Sequence, residues 1–196
     1  MQKDILERMY NHQNLSMQQI ADSFGCSLNK VDYWMRKHAV ARRNRSDAVY
    51  VRHNPDGDPF TVKERLTASE RELFGIGLGL YWGEGTKANP TSVRLGNSDP
   101  GIIRKFIEFL EQIYGVSRED MRFGMQLFTD CSFELAITHW TKALGVDKGQ
   151  FYKPIRTISG SVGTYRRKNQ YGVVTLYYNN KRLRDILVGR INNMPR

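Results

Sequence analysis

One carboxylate stands apart in this chain. Residues 73 to 85 read Leu-Phe-Gly-Ile-Gly-Leu-Gly-Leu-Tyr-Trp-Gly-Glu-Gly, so eleven uncharged residues lead to Glu84, which lies between two glycines. Gly75, Gly79 and Gly83 recur every four residues and so share one face of a helix. Each glycine inside a helix costs about 1 kcal/mol relative to alanine. Three on one stripe predict the close approach of another backbone, and a helix without charge is expected to be buried on all sides. An acid at a helix C-terminus is mildly disfavoured by the dipole, so local stability does not explain Glu84. Its chemistry suits a hard divalent cation, which takes oxygen ligands from carboxylates, backbone carbonyls, water and phosphate.

The other chemistry is cationic. The net charge is +10, and residues 151 to 196 hold ten Lys/Arg against one acid, Asp185. Such a segment inside a folded chain points to a polyanionic partner. Lys153, Arg156, Arg166, Arg167 and Lys168 lie on or beside an expected strand-loop-strand unit. Lys153 and Lys168 are candidates for stabilising a phosphate transition state, and Arg156, Arg166 and Arg167 for gripping phosphates. Gln126 and Asn97 could contact bases or be plain surface residues. His12, His38, His53 and His139 have no ligand spacing, and His139 beside Trp140 is expected to be structural. Tyr81 and Trp82 are expected to pack. Cys26 and Cys131 lie far apart without a CxxC pattern and are expected to be free thiols. Phosphate-loop, HExxH and GxSxG motifs are absent, which removes common nucleotide hydrolases, zinc proteases and serine hydrolases. No small-molecule cofactor is implied. The polar N-terminus does not read as a signal peptide, and the uncharged stretch is shorter than the roughly 20 residues a membrane span needs. A cytoplasmic, nucleoid-associated protein is expected, with a phage-encoded origin as one reading.

Two modules must position these groups. Residues 1–45 read as a helical unit. A short helix over 3–11 precedes Ser16, which with Gln19 forms a capping box. The helix it opens presents Ile20, Ala21 and Phe24 as an apolar face. Gly25 supplies a turn, Ser27 caps a second helix, and Val31, Trp34 and Met35 are its expected buried face. This is a helix-turn-helix pattern, whose second helix enters the DNA major groove. Asn29, Lys30, Tyr33, Arg36 and Lys37 are its exposed candidates. Arg42, Arg43 and Arg45 follow as a basic arm along phosphates or the minor groove. Residues 46–66, rich in turn chemistry around Asn54-Pro55-Asp56-Gly57, read as a linker. From 67 onward the pattern alternates. Ser69 with Glu72 opens the uncharged helix; strands are predicted at 91–98, 121–129, 151–159 and 171–178. Helices follow Asp99-Pro100, span 132–144 and close the chain at 181–193. The fold class is mixed α/β (α+β).

Residues 77–85, Gly-Leu-Gly-Leu-Tyr-Trp-Gly-Glu-Gly, resemble the signature of the LAGLIDADG homing-endonuclease family. Leu80 matches the fourth position, Gly83 the small seventh, Glu84 the metal-binding eighth and Gly85 the closing glycine. Trp82 stands where an acid is usual, and Glu replaces Asp at the eighth. The resemblance covers roughly 67–193 and implies Mg²⁺ or Mn²⁺ held by Glu84 and Gly83. It also implies a homodimer packed through Gly75, Gly79 and Gly83, because the chain carries one copy of the motif. Two such helices would place two carboxylates beside a scissile phosphate of double-stranded DNA. A DNA-binding regulator on the same scaffold is the alternative, and an architectural or RNA-binding protein the third possibility.

Overall fold

The computed structural model describes residues 1–158 and 169–194 and divides into two compact units, Met1–Pro59 and Phe60–Arg196. In the first, α1 (Lys3–Glu7) runs into a π-helical turn, Arg8–His12. Ser16 then caps α2 (Met17–Ser23) reciprocally. Its Oγ accepts from the Gln19 amide at 3.1 Å, and Gln19 Oε1 accepts from the Ser16 amide at 2.8 Å. Gly25 takes φ +56°, where a side chain is strained, and Ser27 caps α3 (Leu28–Lys37). Leu6, Tyr10, Ile20, Ala21, Val31, Met35 and Val40 form a core of their own. Phe24, expected inside, is 46% exposed, because it stands at the C-cap where the chain already turns away. Trp34 is half-buried, stacked on His38 at 5.4 Å.

The stretch 46–66 is not all linker. α4 (Arg45–His53) occupies its first half, capped by Asn44, whose Oδ1 accepts from the Asp47 amide at 2.9 Å. Val51 is its single buried residue, so the helix has no apolar period to read. The boundary between the units falls later in the same stretch, after Pro59.

The second unit contains α5 (Ala68–Glu84), β1 (Val93–Asn97), α6 (Pro100–Tyr114), β2 (Arg122–Phe128) and α7 (Phe133–Leu144). It continues with β3 (Ile155–Thr157), β4 (Val173–Tyr178) and α8 (Lys181–Asn192). The described residues thus form a mixed α/β protein. The start of α5 is shifted from expectation: Thr67 with Glu70, rather than Ser69 with Glu72, makes the capping box. Both pairs fit the motif. Asp99 caps α6 with Pro100 at its first position, and Gly115 (φ +60°) ends it as the pattern requires. The predicted strand 151–159 shrinks to three residues.

The sheet order is β1-β4-β2-β3, with β2 and β3 parallel and the other pairs antiparallel. Val93 and Leu95, Phe123, Met125 and Leu127, and Val174, Leu176 and Tyr178 fill one face. That face joins Phe106, Phe109 and Leu110 of α6 and Trp140 of α7 in one core. The alternate residues of each strand project to the other face.

No described helix is long and apolar enough to cross a membrane. Cys26 and Cys131 are free thiols.

Candidate functional site

The uncharged helix has two unlike faces. Leu73, Gly77 and Tyr81 are buried. Gly77 has Phe109 so close that a Cβ would lie 2.1 Å from its Cγ, and Tyr81 stacks on Phe106 at 5.9 Å. The glycine demanding close approach within the chain is therefore Gly77, not the three of the stripe. Gly75, Gly79 and Gly83 are exposed and have nothing within 4 Å of an added Cβ. At 100° per residue, a shift of two positions carries a residue to nearly the opposite side of the helix. Ile76 (42%) and Trp82 (60%) are exposed on this open side. The expectations of all-round burial and of a packed Trp82 are thus corrected for the single chain. Tyr81 is fully buried, and burial raises the pKa of its phenol.

Glu84 is the last residue of α5, seven positions after Gly77 and so in line with the packed side rather than with the glycine stripe. At the helix end it is nonetheless exposed, with no side-chain hydrogen bond or ion pair to any described residue. The chain beyond it is fixed. Gly85 bridges to Leu95 of β1, and the Thr86 amide donates to the Arg94 carbonyl at 2.9 Å. Lys87 Nζ donates to the Trp82 carbonyl at 2.5 Å, in the last turn of α5. Arg184 of α8 reaches the carbonyls of Lys87 and Asn89, the latter at 3.1 Å. Within one chain the oxygen donors at this point are the Glu84 carboxylate and the carbonyls of the helix end, Gly83 among them. Among the described residues no three His, Cys, Asp or Glu cluster as a metal set. The donors fit a hard cation only when a second such helix end or phosphate supplies the rest.

Lys153 is not brought to Glu84. Gly85 lies outside β1, and Phe151 bridges Phe123 outside β2, so β1, β4 and β2 separate them. At about 4.8 Å per strand that is roughly 19 Å. Arg156 is exposed on β3 and registers with Leu127, on the helix-covered side at the sheet edge. Arg166, Arg167 and Lys168 lie outside the described residues, as does most of the expected 160–170 loop.

The open sheet face holds a cluster that the sequence did not reveal. Arg94, Tyr177 and Arg122 stand side by side across β1, β4 and β2, and Gly96, Thr175 and Gly124 form the next row. The Arg94 guanidinium lies 5.1 Å from the Tyr177 ring centroid, and the Tyr177 ring covers Gly124. Arg122 Nη1 donates to the carbonyls of Glu119 and Met121 at 2.6 and 2.9 Å. Gln126 is exposed on the same face, donating to Thr157 Oγ1 at 3.3 Å. No carboxylate stands at these strand positions. Asn97 instead points to the other face by register, and its Oδ1 accepts from the Asp99 amide at 2.9 Å. Tyr178 is buried, and His139 stacks on Tyr171 at 3.9 Å, as a structural group does.

In the first unit, Asn29, Lys30, Tyr33, Arg36 and Lys37 are all exposed on α3. Lys37 Nζ lies 4.8 Å over Trp34, and Asp32 pairs with both Arg36 and Arg42. Arg43 departs from the expected arm. Its guanidinium stacks on Tyr10 at 4.1 Å and donates to the carbonyls of Asn14 and Leu15 at 3.4 and 3.2 Å. It ties the chain to its own interior and is not displayed to a partner. Arg45 is exposed at the start of α4.

Comparison with models of known protein families, with curated proteins and with solved structures gives no match.

Proposed function

We propose that this chain is a sequence-specific DNA-binding protein of the LAGLIDADG type. In this proposal an N-terminal helix-turn-helix accompanies a homodimeric, Mg²⁺- or Mn²⁺-dependent endonuclease domain that cleaves duplex DNA. One observation carries the proposal: α5 leaves its glycine face exposed and ends on a carboxylate, Glu84, that has no partner among the described residues. An uncharged, apolar helix face open to water marks an interaction surface. A second copy packed on it would set two Glu84 side chains together, with the isologous symmetry of a dimer. Glu84 and the Gly83 carbonyl of each copy would then hold the ion, which supplies activation of water and charge neutralisation at the phosphate. The open sheet face, with Arg94, Arg122, Gln126 and Tyr177 and no opposing carboxylate, suits a duplex groove. The exposed α3 residues suit base contacts outside the central site.

A regulator that binds DNA without cutting is the alternative. Trp82, standing where the family usually has a second acid, favours it. The deciding experiment is a Mg²⁺-dependent cleavage assay on the gene's flanking genomic DNA, wild type beside Glu84→Gln. Cutting by the wild type alone supports the nuclease and assigns Glu84. Retarded but intact DNA with both proteins establishes the regulator instead.

A further inference from the structure

A cleft in the first unit takes in the basic arm, Arg42, Arg43 and Arg45, and adds Arg52 of α4 to it. It opens between the turn leading into α2 and one side of α4, with a volume of about 730 Å³, the size of a preformed ligand pocket. Arg42, Arg43, Arg45 and Arg52 line it with Gln13 and Gln18, and no carboxylate is among its described lining residues. None of that lining comes from α3, so the cleft is distinct from the recognition-helix face.

The four arginines are not equivalent. Arg42 is paired with Asp32, and Arg43 is spent on Tyr10 and two carbonyls, leaving a buried Nη2 without a partner. Arg45 and Arg52 are seven residues apart on α4, two helical turns, and so share a face with Ala48 and Val49 between them. Neither makes a hydrogen bond or ion pair with a described residue. Their helix places two free guanidinium groups in a concave, cationic wall, where field lines are focused.

We propose that this cleft binds a phosphate group, with Arg45 and Arg52 as its principal ligands and Gln13 and Gln18 as neutral donors. Guanidinium matches phosphate oxygens through paired N–H donors, which makes arginine the fitting residue for that anion. The phosphate arrives either on a free nucleotide-sized molecule or on a nucleic-acid backbone. The site does not depend on the nuclease proposal, since it involves neither Glu84 nor the second unit.

The test uses the full chain. Inorganic pyrophosphate is titrated with amide NMR as the readout, and duplex DNA binding is measured across salt concentrations. Wild type is compared with Arg45→Gln/Arg52→Gln and, as a control away from the cleft and from α3, with Lys3→Gln. Pyrophosphate should shift the Gln18 and Ala48 amides of the wild type, and the double variant should lose the response while Lys3→Gln keeps it. If the duplex supplies the phosphate, the double variant should lower the log–log salt slope by about 1. A pyrophosphate response with an unchanged slope assigns a free phosphorylated ligand, and a reduced slope without one assigns the backbone. No amide shift in the wild type together with an unchanged slope overturns the proposal.

Discussion

At the scale of single residues, the two sets of glycines in α5 make opposite predictions. Gly79→Ala adds a Cβ that meets nothing within 4 Å. It should stabilise the isolated chain by about 1 kcal/mol, through helix propensity alone. Gly77→Ala drives a Cβ into Phe109 and should destabilise by about 1–3 kcal/mol. Thermal unfolding of the two variants side by side reads the difference. Glu70 yields a pH prediction. A hydrogen bond from Lys63 at 2.6 Å, then the Thr67 amide and hydroxyl, hold its pKa at about 2, against an ordinary 4.5. Its folded pKa is depressed, so its stabilising effect is complete above about 4.5 and is lost as the pH falls towards 2. Glu70→Gln should flatten that part of an acid-unfolding curve, and an unaltered acid limb would remove Glu70 from the account. Little of this was legible beforehand. The four-residue spacing of the glycines is visible, but only the position of Phe109 decides which glycine is pressed.

At the scale of elements, most caps were legible, that of α5 being misplaced by two residues, and the faces of α5 were not. Asp99-Pro100 and Gly115 bound α6 where the sequence placed them, because those signals act within a turn of the chain. α4 was hidden because one buried valine sets no period. The row Arg94–Tyr177–Arg122 was hidden because its members meet only through strand register, with β4 inserted between two strands far from it in sequence. The dimer prediction belongs at this scale. Gly75→Ala/Gly79→Ala should leave the monomer folded and raise the dimer dissociation constant by tenfold or more, about 1.4 kcal/mol. Sedimentation velocity measures it. A monomeric wild type, or a dimer indifferent to both substitutions, would remove the glycine face from the interface.

For the whole molecule, the alternation of helix and strand patterns from residue 67 onward gave the class correctly, a mixed α/β chain, and the residue counts gave its cationic surplus. They could not separate arginines that face solvent from Arg43, which is held inside its own unit. Two units with separate cores are joined in one chain. If both engage one duplex, as the proposed function has it, residues 1–59 and 60–196 made separately should each bind more weakly than the whole chain, because the covalent connection supplies effective concentration. Competition binding with the two fragments together and with the intact chain measures the gain. Equal affinity of the intact chain and one fragment would assign all binding to that fragment.

The sheet order also fixes a timetable. β4 is nearly the last element in sequence, yet it lies between β1 and β2 and pairs with both. During synthesis those two strands must wait, their inner edges bare, until residue 178 has been made. At about 5–20 residues per second, the interval from β2 to β4 lasts a few seconds. Through that time β1 and β2 lack the partner that joins them, and unpaired strand edges are of the kind that invite pairing with other chains, so this sheet closes only after β4 is available.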